Sequence, residues 1–144
     1  MGRMYDREYN KTYKPFVAWL IGYPVVAIIA GIGLSEVSIK VSVMASLMIL
    51  VVSLYILILI IYRGEYVYWI NGGPSFEEAR SAGSEKRKEY AKAHLDIFFR
   101  LMLVSLFYGI ISLYFEFSIW IDILIITLLV IRAGFSSIPI KFNS

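Results

Sequence analysis

Cysteine is absent from the 144-residue chain, and histidine occurs only once. The lack of cysteine excludes disulfides, thiolate metal sites and thiol redox chemistry. A single histidine leaves no pair for bis-histidine haem ligation and too few ligands for a transition-metal site. The phosphate-binding glycine loop, the G-x-S-x-G nucleophile motif and the H-E-x-x-H zinc motif are missing as well. We therefore predict no metal site and no cofactor, and we assign no catalytic residue.

Charged residues are also scarce, at 17 %, whereas hydrophobic residues reach 59 %, compared with roughly 45–50 % in soluble domains. The hydrophobic residues are concentrated in four runs, at residues 16–34, 41–62, 95–115 and 118–140. Each run is close to the ~20 residues with which a helix crosses a ~30 Å hydrocarbon layer. None alternates apolar and polar residues as a barrel strand does. The sequence predicts an all-α, polytopic membrane protein with four transmembrane helices in a single domain, residues 1–144.

Basic residues are distributed unevenly between the segments that flank these runs. Four precede the first run, six lie in residues 63–94, and Lys141 is in the tail, whereas the two short connections carry only Lys40. Basic residues accumulate on the cytoplasmic side of a membrane. We therefore predict an N-in/C-in topology in the cytoplasmic (plasma) membrane, with two antiparallel hairpins joined by a cytoplasmic loop at residues 63–94. The positive net charge then reflects contact with anionic headgroups, and we expect no nucleic-acid partner.

The segment before the first run predicts an interfacial helix over residues 1–14. Three tyrosines and three basic residues recur at every fourth position on neighbouring faces: Tyr5, Tyr9, Tyr13, Arg3, Arg7 and Lys11. Such a pattern is typical of a helix that lies on a membrane, and the alternative is a short tail that only carries orientation charges. The basic segment also resembles the start of a signal peptide. The apolar run is too long for one and lacks an A-x-A cleavage pattern, so we expect it to be retained.

Two local patterns predict features of the helices. Gly22 and Pro24 lie in the first run, where proline removes a backbone hydrogen bond and predicts a kink. The kink serves either as a hinge or as a static bend that shapes packing. In the middle loop, Ser75 and Glu78 form a capping-box pattern that predicts a short helix from Phe76 to near residue 83.

A longer helix is predicted to follow at once and to extend the third span into the cytoplasm. Ser84 is its expected cap, and the helix runs from Glu85 into the third run without an interrupting proline. Charges of both signs alternate at helical spacing over residues 85–92, which is typical of a solvated extension or of a docking surface.

Four ionisable residues lie within the apolar runs, where charges are costly and often functional: Asp96, Arg100, Asp122 and Arg132. Asp96 and Arg100 are one turn apart and can form an ion pair. Asp122, near the outer end of the fourth helix, is expected to be hydrated beside Glu116. One interpretation is an intramembrane polar network at a cytoplasm-facing cavity that binds an anion or a lipid headgroup. The other is a set of snorkelling or mutually paired residues that fix helix depth.

The third run carries small residues, Ser105, Gly109 and Ser112, on one face, which allows another helix to pack closely. Together these features favour a helical-bundle subunit or accessory (scaffold) protein without catalytic activity, in a homo-oligomer or a larger membrane complex. The main alternative is an oligomeric channel or transporter for small anionic or amphipathic solutes. A phage-type lysis protein and a lipid-modifying enzyme relying on Asp122, Glu116 or His94 are further alternatives.

Overall fold

The computed structural model describes residues 9–143, which form five α-helices and one 3₁₀ turn. The α-helices are α1 (Lys14–Ser35), α2 (Ile39–Gly64), α3 (Phe76–Ala82), α4 (Ser84–Phe115) and α5 (Ile119–Ser137), and the 3₁₀ turn is Val67–Trp69. All but α3 are long and apolar enough to cross a membrane. The architecture is all-helical over this range, and the four apolar helices are compatible with a small integral membrane protein.

Helix α2 is the central element of the bundle, because it contacts α1, α4 and α5. Its Val51 is fully buried in a core with Leu101 of α4 and with Ile126 and Ala133 of α5. Among the helices of residues 9–143, α1 contacts α2 alone, and none of its residues is buried. The outer surface of the bundle is therefore apolar, as expected where lipid rather than water surrounds the helices.

Polar contacts join α1 to α2 along their length. The Trp19 indole Nε1 donates to the carbonyl of Ser53 at 2.7 Å, and the Ser42 hydroxyl donates to the carbonyl of Gly31 at 2.7 Å. A side chain at Gly31 would bring a Cβ within 3.4 Å of the Ser46 hydroxyl, so glycine permits this close approach. Both carbonyls lie inside helices that satisfy their backbone hydrogen bonds internally, so each side chain adds a second bond to a carbonyl and fixes α1 against α2.

The helix ends agree with the sequence at one point and differ at two. The capping box of Ser75 and Glu78 is confirmed, since each side chain bonds the backbone N–H of the other. The prediction that Ser84 caps the next helix is wrong, because Gly83 is the N-cap and Ser84 is the first helical residue. Helix α5 ends at Ser137, earlier than predicted: Ile138 still has helical dihedral angles, but Pro139 has no backbone N–H with which to continue the helical hydrogen bonds.

Contacts between distant segments show which parts of the chain share an end of the bundle. Lys40 of α2 donates to the carbonyl of Phe117, so the two short connections lie at the same end. The Tyr9 hydroxyl donates to the carbonyl of Glu65, and the Tyr90 ring contacts Phe142 edge-on. The start of the described chain, the segment after α2 and the tail thus lie together at the other end, called here the basic end.

The interfacial helix predicted for residues 1–14 is wrong for residues 9–13, which are not helical. The rest of that prediction falls on residues 1–8, outside the described range, and on Lys14, which begins α1. Residues 9–13 are held by side chains of the middle segment instead. The Tyr68 hydroxyl donates to the carbonyl of Thr12 at 2.9 Å, as does the Trp69 indole at 3.0 Å. These bonds replace the backbone bonds that a helix would have made.

Gly64, the last residue of α2, lies directly under the ring of Tyr66, where a Cβ would overlap ring atoms. That ring stacks on Trp69 with centroids 4.4 Å apart. We expect Gly64→Ala to displace Tyr66 and to lower the free energy of unfolding by about 1–3 kcal/mol. SDS titration of the purified protein in mixed micelles, monitored by tryptophan fluorescence, measures this loss.

Gly22→Ala is the matched control, because nothing lies within 4 Å of the Cβ it adds inside α1. Alanine is the better helix former, so this variant should be neutral or more stable by up to about 1 kcal/mol. Equal destabilisation by the two alanines would contradict the assigned position of the Tyr66 ring.

Candidate functional site

A cavity of about 320 Å³ lies between α4 and α5 and is open to the surface. Arg100 of α4 and Arg132 of α5 both contribute to its wall. The remaining wall is apolar except for one hydroxyl, and its residues are Ile97, Leu101, Val104, Leu129, Ala133 and Ser136. The structure thus brings together two of the four charges that the sequence singles out.

The two guanidinium groups in this cavity have no carboxylate partner within residues 9–143. Arg100 and Arg132 are both exposed, and no ion pair within 4 Å involves either of them. The expected Asp96–Arg100 pair is absent as well, although Asp96 is exposed one turn before Arg100. Two like charges therefore face one cavity without internal compensation, an arrangement suited to an anion.

Both arginines lie at the same depth in the bundle. Arg100 is fifteen residues before the end of α4, and Arg132 is thirteen residues after the start of α5. At the helical rise, each is about 20 Å from the end formed by the short connections. In a hydrocarbon layer ~30 Å thick, the two charges would lie about 10 Å from the boundary at the basic end. Long arginine side chains can reach headgroups from such a position.

Asp122 belongs to a separate cluster at the other end of the bundle, with Lys40, Tyr108 and Ser112. Its Oδ1 accepts hydrogen bonds from the hydroxyls of Tyr108, at 2.8 Å, and Ser112. The Lys40 Nζ lies 4.0 Å from Oδ2 and also donates to the carbonyl of Ser112 at 2.9 Å. The expected hydration of Asp122 beside Glu116 is wrong, because Asp122 is 1 % exposed. The four predicted charges therefore do not form one network.

Lys40 belongs to this cluster but was not among the predicted site residues, because its place in the sequence indicates only topology. Lys40 is the one basic residue near the short connections, and Asp122 is the acidic residue one turn into α5. The sequence feature that could have indicated this pair is one lysine and one aspartate, both predicted at the same end of the bundle. Pairing them needed the knowledge that α2 packs beside α5.

A third polar cluster, at the basic end, is centred on Arg87 and also contains Tyr9, Glu65, Ser84 and Lys88. The Arg87 Nε donates to Glu65 at 2.7 Å, and its guanidinium carbon lies 4.1 Å from the centroid of the Tyr9 ring. The Arg87 Nη1 also donates to the carbonyl of Ala79 at 2.8 Å. Arg87 is only 4 % exposed, so the expected solvated extension over residues 85–92 is packed on one side.

Glu65 is held as an anion by this cluster. Burial alone would raise the pKa of its carboxyl, but hydrogen bonds from Ser84 and Arg87 and the charges of Arg87 and Lys88 outweigh burial and lower the pKa. Burial also raises the pKa of the neighbouring Tyr9 hydroxyl, so Tyr9 stays protonated and donates to the carbonyl of Glu65. All these groups are engaged in fixing the start of the described chain, at Tyr9, and α3 to α4.

The remaining predicted residues have packing contacts. Ser105, Gly109 and Ser112 are buried on α4, and Gly109 faces Met44 and Met48 of α2, whose sulfur atoms would lie 3.4 Å from an added Cβ. The Ser105 hydroxyl is buried without a hydrogen-bond partner in the part of the chain that the structure describes.

The hinge candidates and the single histidine are placed as follows. Pro24 lies inside α1, and Gly22 borders open space. His94 is 3 % exposed, with Nδ1 3.0 Å from the carbonyl of Tyr90. Residues 9–143 contain no group of three or more histidine, aspartate or glutamate side chains placed to hold a metal ion.

Comparison with known proteins gives no further assignment. The chain matches no protein-family model, and no curated protein or solved structure shows significant similarity to it. Functional inference therefore rests on the geometry of the three polar clusters and the bundle that carries them.

Proposed function

We propose that this chain is a multi-pass membrane protein whose four apolar helices form two antiparallel hairpins, and that it works as a non-catalytic bundle subunit or accessory protein. The observation that carries this proposal is the apolar outer surface of all four long helices. Each of them has large hydrophobic side chains that are more than half exposed, for example Ile29 at 66 %, Ile39 at 70 %, Phe107 at 67 % and Phe135 at 68 %. A surface of this kind requires lipid or another protein to cover it.

The proposed orientation has the basic end in the cytoplasm. This orientation is supported by the basic residues that gather at that end, which are Arg63, Arg80, Arg87 and the lysines of the same segment. At the opposite end, the basic residue is Lys40. Lys40 is also engaged with Asp122, so little free positive charge opposes translocation of the short connections. The plasma membrane, with its anionic cytoplasmic leaflet, is the proposed location.

Cysteine labelling tests this orientation, because the chain has no cysteine of its own. Ser35 and Ser81 form a matched pair, since both are exposed and each hydroxyl bonds a carbonyl three residues earlier in its own helix. We expect a membrane-impermeant maleimide to label Ser35→Cys in intact cells and to label Ser81→Cys only after permeabilisation. Labelling in the reverse order would overturn the orientation. Extraction of the wild type by alkaline carbonate would overturn membrane integration itself.

The role as a bundle subunit is supported by how the buried polar groups are used. Glu65 with Arg87, and Lys40 with Asp122, connect helices to each other. Within residues 9–143, helix α1 packs on α2 and, through Phe16, on Trp69 of the 3₁₀ turn, and it leaves most of its surface outward, which suits contact with a second copy or another membrane protein. Cross-linking in native membranes tests for such a partner.

A channel or transporter for small anions is the second candidate, favoured by the placement of Arg100 and Arg132 in one cavity. Anion flux into liposomes containing the wild type, with loss of flux in Arg132→Ala, would favour it over the subunit role. Absence of flux from the wild type would remove it.

A further inference from the structure

We propose that the cavity between α4 and α5 binds the phosphate group of an anionic phospholipid, with Arg100 and Arg132 as the phosphate ligands. This inference rests on the membrane placement proposed above and adds a ligand to it. The cavity is defined by the two arginines, by Ser136 at its shallow end, and by Val104 and Leu129 at its deep end.

Charge is the first argument for an anionic occupant. Arg100 and Arg132 come from different helices, are exposed, and have no acidic partner within 4 Å in the described range. Asp96, one turn before Arg100, is exposed and is absent from the cavity wall. Guanidinium groups bind phosphate through paired N–H donors, and two of them from different helices can contact different oxygens of one phosphate.

The gradient of polarity along the cavity favours a phospholipid over a soluble anion. Ser136 lies one turn nearer the basic end than Arg132, whereas Val104 lies one turn deeper than Arg100. Ile97 also lines the shallow end, so the polar groups of the wall are the Ser136 hydroxyl and the two guanidinium groups, whereas the deep end is hydrocarbon alone, as an acyl chain beyond a bound phosphate requires. Val104 is 51 % exposed, so an acyl chain in the deep part would continue into the surrounding bilayer.

The energetic cost of an uncompensated charge also favours an anionic occupant. A charge left within the hydrocarbon layer costs roughly 2.5–3.5 kcal/mol on insertion scales. The structure offsets this cost for Asp122 with Lys40, but it provides no protein anion for Arg100 or Arg132. A lipid phosphate drawn to the cavity supplies the missing counter-charge. The size of about 320 Å³ suits a headgroup and the first part of its chains.

Native mass spectrometry of the purified full chain in detergent, titrated with phosphatidylglycerol, tests the proposal. We expect retention of the lipid by the wild type, a Kd about tenfold higher in Arg100→Gln and in Arg132→Gln, and no retention in the double variant. Arg63→Gln combined with Lys141→Gln is the matched control. It removes two exposed basic charges outside the cavity wall and should change the Kd by less than about twofold.

Two further arms separate the sources of phosphate. Val104→Trp fills the deep part of the cavity without altering charge, and we expect it to abolish lipid retention. Excess inorganic phosphate should not displace phosphatidylglycerol from the wild type. Displacement by phosphate, with retention unchanged in Val104→Trp, would overturn the phospholipid assignment in favour of a soluble anion.

Two outcomes would overturn the proposed site as a whole. Equal retention of phosphatidylcholine, or equal loss in the charge control, would overturn specific binding at the cavity. Circular dichroism confirms that each variant is folded. If the glutamine variants do not fold, the double variant Arg100→Lys with Arg132→Lys keeps both charges. We expect it to retain the lipid more weakly than the wild type. Lipid binding is measured in detergent and does not depend on the orientation in cells. A failure to bind lipid therefore leaves the cysteine-labelling result intact, and reversed labelling leaves the lipid-binding result intact.

Discussion

Arg87→Ala is expected to lower the free energy of unfolding by about 3 kcal/mol, since it removes the buried partner of an ion pair whose carboxylate is half-buried. Arg87 is 4 % exposed and contacts four groups: the Glu65 carboxylate, the carbonyls of Ala79 and Arg80, and the ring of Tyr9. Its loss leaves the half-buried Glu65 carboxylate with Ser84 and Lys88 as its side-chain partners among residues 9–143. SDS titration in mixed micelles, monitored by circular dichroism, measures the change.

Lys88→Ala is the matched control for this effect, because Lys88 is the adjacent residue and faces the same carboxylate. Its Nζ lies 3.7 Å from Glu65 Oε1, but its side chain is 52 % exposed. Exposed pairs contribute little, so we expect a loss below about 1 kcal/mol. Similar losses in the two variants would show that total charge, rather than the buried contacts of Arg87, stabilises the basic end.

Arg87→Ala should also loosen the segments that Arg87 joins. Arg87 connects α4 to the end of α2 through Glu65, to α3 through Ala79, and to the start of the described chain through Tyr9. We therefore expect limited proteolysis at the basic end to be faster in Arg87→Ala than in Lys88→Ala.

The apolar helices could be predicted from the sequence because their signal is local. A run of about 20 apolar residues needs no knowledge of its neighbours to be identified as a helix that can cross a membrane. The capping box at Ser75 is local too, since all its bonds fall within four residues. The interfacial helix is wrong at residues 9–13 for the opposite reason. The tyrosine periodicity is real, but Tyr9 packs against Phe76 and Arg87, which lie far along the chain.

The polar clusters depend on contacts between distant residues, and this limits what sequence can say about them. Glu65 and Arg87 are separated by a turn, α3 and Gly83, and Lys40 and Asp122 by most of the bundle. Choosing partners requires the packing of α2 against α4 and α5, which apolar composition does not specify. The shared depth of Arg100 and Arg132 could be obtained from the sequence, because depth along a helix can be counted from its ends. The separation of Asp96 from these two arginines could not be obtained by counting depth, because Asp96 is only one turn from Arg100.

The Asp122 cluster carries the second large expected effect. Asp122→Asn keeps the shape of the side chain but removes the negative charge that faces Lys40 at 4.0 Å. The amide also weakens the bonds accepted from Tyr108 and Ser112, since hydrogen bonds to a charged acceptor are the stronger kind. Asp122 lies in the first turn of α5, where a negative charge is favoured by the helix dipole. We expect a loss of about 3 kcal/mol in the free energy of unfolding.

Asp96→Asn is the control, because it makes the same chemical change at an exposed aspartate without an ion pair among residues 9–143. Its expected effect is within about 0.5 kcal/mol. Lys40→Met added to Asp122→Asn should recover part of the loss, since it removes the lysine charge left without its partner. Such recovery distinguishes a broken ion pair from general damage to α5. If the second substitution only adds to the loss, Lys40 is held by the carbonyls of Ser112 and Phe117 rather than by Asp122.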